Sequence, residues 1–287
     1  MRLPKFEYLS PQTVQEACSL LAQHGDKAKV LAGGTDLMNV MKERVITPEY
    51  VIGLSNIIDL DYIEADADVI RIGALTTLTS LGNSTIVKEK FPCLAEVPGK
   101  MATVQIRNMG TVGGNLCNAA PSADTAPILI CLGAQARIAG PNGERLVALE
   151  DFFTGPGQTV LGNGEILVEI QVPNPPANTT GAYFKMSRVA VDLAIVGVGT
   201  VITMDGGTCS DIKIALGAVA PTPIRAKKSE ALIKGKKIKD GLIEEAGKTA
   251  AEEATPIDDV RGSAFYRTEM VNVLTKRAIR QALDQAK

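Results

Sequence analysis

At 287 residues, with 45% hydrophobic and 22% charged side chains, the chain has a globular composition and length enough for two or three domains. Lys+Arg number 30 against 32 Asp+Glu, and the resulting net charge of −2 argues against a dedicated nucleic-acid binder. No run of 18 apolar residues occurs, so no membrane span is expected.

The opening MRLPKFEYLSP lacks an apolar h-region, so no secretion signal is expected and the reading is cytoplasmic. The sequons at Asn83 and Asn178 then carry no meaning. Cys18, Cys93, Cys117, Cys131 and Cys209 are widely spaced and form no CxxC pair. That spacing speaks against a structural zinc or a self-contained iron–sulfur cluster, and for reduced thiols. The only histidine, His24, sits in a polar Ala-Gln-His-Gly segment and reads as a solvated helix end. Ser-His-Asp and Cys-His chemistry thus lack their central member. No catalytic and no metal-ligating residue is assigned.

In chain order, residues 4–9 read as a first strand. Ser10-Pro11 reads as a helix start, with Val14, Ala17, Leu20 and Leu21 on one face and Gly25 closing the helix. Val30-Leu31-Ala32 is a short apolar strand that runs into Gly33-Gly34-Thr35-Asp36, giving a β-α-β start. A polar segment with Lys42, Glu43 and Arg44 follows, and a strand over 50–54 ends a first lobe. A second lobe is expected over about 55–175. It holds strands at 62–65 and 69–72 around an Asp-Ala-Asp turn, a capped helix start at Thr76-Thr77, and a helix over 93–106 in which Pro98-Gly99 offers an early break. Asp124 reads as an exposed helix start before Ala126–Leu132, and strands follow at 134–139 and 166–172. Asn174-Pro175-Pro176-Ala177-Asn178 reads as a linker. Beyond it come strands at 182–188, 195–204 and 212–219, with an Asp205-Gly206-Gly207 hairpin turn. Helices near 229–234, 239–253 and 266–286, the last with an apolar stripe of Val271, Leu274, Ala278, Ala282 and Leu283 expected to pack on its own sheet, complete a third, α+β lobe.

Two glycine-rich stretches stand out. In Gly33-Gly34-Thr35, missing Cβ atoms let a ligand approach the main chain, consecutive N–H groups can face an anion, and Thr35 adds a hydroxyl. Thr111-Val112-Gly113-Gly114-Asn115 repeats that composition and reads as a second strand-to-turn half. Neither is a GxGxxG or GxxxxGK[ST] signature, and Gly197-Val198-Gly199 lies inside an apolar strand pattern. On the residues alone, binding of a pyrophosphate-bearing dinucleotide and plain chain turning both stay open.

The segments VLAGGTDL (30–37), IGALTTL (72–78), IRNMGTVGGNLCNAAPSAD (106–124), EILVEIQVP (165–173), YFKMSRVAVDLAIV (183–196), LGAVAPTPIRA (216–226) and SAFYR (263–267) occur together in this order. With them the chain resembles the FAD-binding medium subunit of the xanthine dehydrogenase and carbon monoxide dehydrogenase family of molybdenum hydroxylases. The resemblance implies an α+β fold. A two-lobed vanillyl-alcohol-oxidase-type (PCMH-type) FAD-binding domain would be followed by a C-terminal α+β domain of the CO dehydrogenase flavoprotein type. The expected divisions are 1–55, 56–175 and 176–287.

The resemblance further implies that Val30, Leu31, Ala32, Gly33, Gly34, Thr35, Asp36 and Leu37 hold the FAD pyrophosphate together with Thr111, Val112, Gly113, Gly114 and Asn115. Asp124 would accept a ribose or ribityl hydroxyl, Leu167 would pack on the flavin or adenine, and Lys185 would lie near the FAD. Met101 stands where relatives often carry an aromatic residue, and offers a softer thioether contact instead. The molybdenum cofactor is implied on a large partner subunit and two [2Fe–2S] clusters on a small one. The FAD would receive their electrons and pass them to NAD⁺ or another acceptor, within a dimer of heterotrimers. The hydroxybenzoyl-CoA reductase branch, which adds a cysteine-bearing loop, is not assigned. A free-standing FAD oxidoreductase of the same fold and a cofactor-free scaffold are the alternative functions.

Overall fold

The structure is a computed structural model and describes residues 2–286. The first lobe is built on β1 (Glu7–Leu9), β2 (Ala28–Leu31) and β3 (Tyr50–Gly53) in the order β1-β3-β2, with both pairings parallel. Helix α1 (Val14–His24) crosses from β1 to β2, and α2 (Leu37–Lys42) links β2 to β3. Ala17, Cys18 and Leu21 of α1 are buried, as the apolar periodicity requires, and Gly25 closes the helix at φ 52°. The start differs from the expectation at Ser10-Pro11. Thr13 caps α1 by accepting from the Glu16 N–H, while the Glu16 carboxylate accepts from the Gln12 N–H. A reciprocal cap of that kind outcompetes a serine three residues upstream. Helix α2 replaces the expected polar segment.

The second lobe carries β4 (Ile63–Ala65) and β5 (Val69–Gly73), then six helices: α3 (Leu78–Asn83), α4 (Thr85–Lys90), α5 (Pro92–Ala95), α6 (Val104–Met109), α7 (Val112–Cys117) and α8 (Thr125–Cys131). It ends in β6 (Gln135–Gly140), β7 (Gly143–Ala148), a small β8–β9 pair (Phe153–Gly155, Gln158–Thr159) and β10 (Ile166–Pro173). The main sheet is antiparallel in the order β4-β5-β10-β6-β7. The helix expected over 93–106 is broken into α5, a 3₁₀ turn at 98–100 and α6. Pro98 cannot continue α5, and Ala102 takes φ 36°, outside helical space. Strand β7, which the sequence analysis does not include, is mostly exposed and lacks the apolar alternation of a half-buried strand.

Strand β10 serves two cores, which explains its nearly unbroken apolar run. Ile166 and Val168 pack with α1 and β3, whereas Leu167, Ile170 and Val172 enter the main core beneath the helices. This shared strand fixes the first lobe against the second.

The C-terminal region is an antiparallel sheet of β11 (Thr179–Met186), β12 (Val196–Asp205), β13 (Thr208–Gly217) and β14 (Ile224–Arg225) in that order. Gly206 and Gly207 both take positive φ, the geometry of a two-residue hairpin turn. Helices α9 (Lys227–Ile233), α10 (Asp240–Glu253) and α11 (Ala264–Gln285) cover one face. The α11 stripe of Val271, Leu274, Ala278 and Ala282 is buried against its own sheet. On the opposite face lies α8 from the second lobe, with all its residues buried. Gly199 admits it, since a Cβ there would stand 3.0 Å from Ile128 N.

Candidate cofactor-binding site

The two glycine stretches meet across the seam between the lobes. Strand β2 ends at Leu31 and the chain turns through 32–36 into α2, while Thr111 opens α7 on the other side. A Cβ on Gly33 would overlap the Met109 carbonyl, so the two loops touch backbone to backbone. Between them opens a cleft of about 420 Å³, lined by Ala32, Gly33, Ser55, Ile57, Ile58, Asp61, Leu75, Met109 and Thr111.

The two halves differ in what they offer. Among the described residues, the backbone N–H groups of Gly33, Gly34, Thr35 and Asp36 donate to no protein acceptor. Four consecutive free donors on bare backbone suit a phosphoryl anion. The second half is a helix start rather than a strand-to-turn element. Its N–H groups are already used: Val112 N donates to Thr76 O, Gly113 N to Ala74 O, and Gly114 N and Asn115 N to Thr111. What it can add is the Thr111 hydroxyl proton, the Asn115 amide and room for close approach. Met109, Ser55, Ile57, Ile58 and Asp61, absent from the predicted set, line the cleft from segments with no glycine signature.

The glycines sort by cause. Gly33 and Gly113 are required by packing, the latter because a Cβ would stand 2.7 Å from Ala74. Gly34 is required by its φ of +74°. A Cβ on Gly114 would meet only the Thr111 hydroxyl at 2.8 Å and Ala32 Cβ at 3.9 Å, so it would protrude between the two halves.

Met101, Asp124 and Lys185 come together in a second, buried cluster. The Asp124 side chain is 7% exposed and that of Lys185 is 4% exposed. Asp124 does stand at the start of α8, as expected, but it is buried rather than exposed, and its side chain makes no cap. The Lys185 ammonium donates to Asp124 Oδ2 (2.9 Å) and to the Lys100 carbonyl (3.1 Å), and the Tyr183 hydroxyl donates to Asp124 Oδ1 (2.6 Å). In return, the Lys100 ammonium donates to the Tyr183 carbonyl at 2.6 Å. Burial pushes the Asp124 carboxyl above its ordinary value, against the pull of Lys185. The Tyr183 phenol is raised well above 10, so it stays a neutral donor. Met101 is buried, and Arg107 of α6 holds its carbonyl at 2.7 Å. Next to Asp124, the Thr125 hydroxyl donates to Asn115 Oδ1 at 2.6 Å and ties the start of α8 to α7. Leu167 is apart, enclosed in the main core at 2% exposure. Among the described residues, no group of three His, Cys, Asp or Glu is placed to hold a metal, and no helix is long and apolar enough to cross a membrane.

A two-lobed α+β unit with a bare-backbone cleft at its seam, followed by a separate antiparallel sheet, defines a class of FAD-binding flavoproteins. Family profiles agree: "FAD binding domain in molybdopterin dehydrogenase" matches residues 4–175, and "CO dehydrogenase flavoprotein C-terminal domain" matches 181–282. The carbon monoxide dehydrogenase medium chain of Afipia carboxidovorans is 37% identical over 282 residues, 98% of each chain. The xanthine dehydrogenase FAD-binding subunit of Escherichia coli O157:H7 is 33% identical over 97% of this chain and 96% of its own. Among solved structures, carbon monoxide dehydrogenase from Hydrogenophaga pseudoflava superposes with a TM-score of 0.97 at 39% identity, covering 99% of both chains. The chain belongs to the FAD-binding medium subunits of the xanthine dehydrogenase and carbon monoxide dehydrogenase family of molybdenum hydroxylases, and is thus an oxidoreductase subunit.

Proposed function

We propose that this subunit carries electrons from [2Fe–2S] clusters on a small partner subunit to NAD⁺ or another acceptor, while a large partner bears the molybdenum cofactor. The relatives' names, medium chain and FAD-binding subunit, support an assembly of several kinds of chain. The assembly is read as a cytoplasmic dimer of heterotrimers. The observation that carries the reading is the run of N–H groups from Gly33 to Asp36 that donate to no protein acceptor among the described residues, beginning at the cleft-lining Gly33.

In this reading Gly33–Asp36 bind the FAD pyrophosphate, and the Thr35 and Thr111 hydroxyls and the Asn115 amide add donors. Val30, Leu31, Ala32, Leu37, Val112, Gly113 and Gly114 shape the two walls. Asp124 accepts a ribose or ribityl hydroxyl, Lys185 supplies a nearby cation, and Met101 packs against ring surface, while Leu167, enclosed in the core, makes no ring contact. Bound FAD supplies one- and two-electron chemistry; the chain's own residues place it and exclude water. No side chain is assigned as acid or base. The proposed divisions are 1–55, 56–175 and 176–287, and one main sheet within each supports them.

The test is reduction of the FAD-reconstituted subunit. Bleaching of the flavin absorbance by a reduced iron–sulfur subunit, and none by organic substrates alone, supports electron transfer. Rapid bleaching by an organic substrate without partner subunits would make the chain a free-standing oxidoreductase.

A further inference from the structure

The geometry points to Tyr183, with Gly197 behind it, as a positioning pair through which the C-terminal sheet aims Asp124 at the cofactor. This rests on the functional reading above and adds residues that neither the glycine stretches nor the cleft lining indicates. Tyr183 lies in β11, wholly buried, and its hydroxyl gives Asp124 Oδ1 a 2.6 Å hydrogen bond. Asp124 stands at the start of α8, which lies on the far face of the same sheet. The carboxylate is thus held from β11 by two donors, Tyr183 and Lys185, two residues apart on one strand face.

The Gly197-Val198-Gly199 stretch of β12 gains a purpose here. Gly199, directly opposite Tyr183 in the ladder, gives α8 its bed. Gly197, opposite Lys185, leaves space for the phenol: a Cβ there would stand 2.9 Å from the Tyr183 hydroxyl. Two bare positions on one strand therefore seat both the helix that carries Asp124 and the ring that orients it. Neither Tyr183 nor Asp124 lines the cleft of the glycine stretches, so the effect of Tyr183 on a ligand passes through the role proposed for Asp124. Because the phenol stays neutral far above 10, the donor is present at every working pH.

The experiment is a double-mutant cycle on the full chain, read as FAD dissociation constants from flavin fluorescence, with apoprotein melting temperatures alongside. Tyr183→Phe alone is expected to weaken FAD binding about ten- to a hundredfold, the scale of one hydrogen bond to a charged group. In an Asp124→Asn background it should change FAD affinity by less than about twofold, since residues acting as a unit are not additive. Gly197→Ala should weaken binding in the wild type and do so far less beside Tyr183→Phe. Equal losses in both backgrounds, or an unchanged affinity in Tyr183→Phe, would overturn the positioning role. A wild-type chain that takes up no FAD would instead overturn the functional reading itself.

Discussion

Gly33 and Met109 meet with no side chain between them: the glycine Cα lies where any Cβ would collide with the methionine carbonyl. This contact closes the seam at one end of the cleft, and it separates glycines needed for folding from those needed for a ligand. Gly33→Ala and Gly113→Ala are expected to destabilise the apoprotein by about 1–3 kcal/mol each through forced backbone shifts. Denaturant titration of the apoprotein would check this. Gly114→Ala should cost about 1 kcal/mol or less, by disturbing the Thr111 cap, yet lower FAD affinity.

Thr111 is both the cap of α7 and a cleft residue. Thr111→Ala is expected to cost about 1 kcal/mol of stability and to weaken FAD binding. Thr111→Ser should restore both, because it keeps the hydroxyl. A serine variant as weak as the alanine one would show that the methyl group, not the hydroxyl, matters.

Arg267 is buried, and its guanidinium donates to Ile195 O (2.7 Å), Ala218 O (2.9 Å) and Asp259 Oδ1 (2.7 Å). It ties the first turn of α11 to the start of β12 and the segment after β13. Arg267→Met should cost about 1–3 kcal/mol in denaturant titration, because it leaves the buried Ile195 carbonyl without its donor. The flavin cleft lies elsewhere, so the folded fraction should bind FAD normally.

Acid stability should depend on Glu165. Its carboxylate accepts from Arg145 at 2.8 and 2.7 Å and from Gly162 N at 2.6 Å, and chiefly the Arg145 bonds hold its pKa below the ordinary 4.5. The ionised form is favoured in the folded state, so the gain is present above pH 4.5 and fades as pH falls through the lowered value. With Arg145 42% exposed, screening limits the gain to about 1 kcal/mol or less. Glu165→Gln should flatten that acid limb of the stability curve.

The five cysteines are all free. Burial pushes the Cys93 and Cys117 thiols up to about 12 and that of Cys209 to about 11, and raises Cys18 and Cys131 as well. Thiol reagents at neutral pH should label the native protein slowly and the unfolded chain at all five sites. Fast native labelling of Cys131 would contradict the packing of α8 on β12.

Much of this architecture was legible because local signals agreed with the tertiary outcome. The Gly206-Gly207 hairpin, the Thr77 cap and the α11 stripe each rest on neighbours within a few residues. The helix expected over 93–106 failed because Pro98 and the turn at Ala102 override apolar periodicity. The free N–H groups of the first glycine stretch depend on local backbone, whereas in the second Gly113 N is taken by Ala74 O, far off in sequence. The partners of Asp124 are hidden for the same reason: they lie about sixty residues away on another sheet. Helix-start chemistry alone points to an exposed position there.

The most direct measurement is the FAD affinity of the apoprotein beside that of Gly34→Val and Gly114→Val, each with its apoprotein melting temperature. Stoichiometric FAD uptake by the wild type is expected, lost in both variants, with Gly114→Val keeping a near wild-type melting temperature. Undiminished FAD binding by a folded Gly114→Val chain would contradict a pyrophosphate held between Gly33–Asp36 and the start of α7.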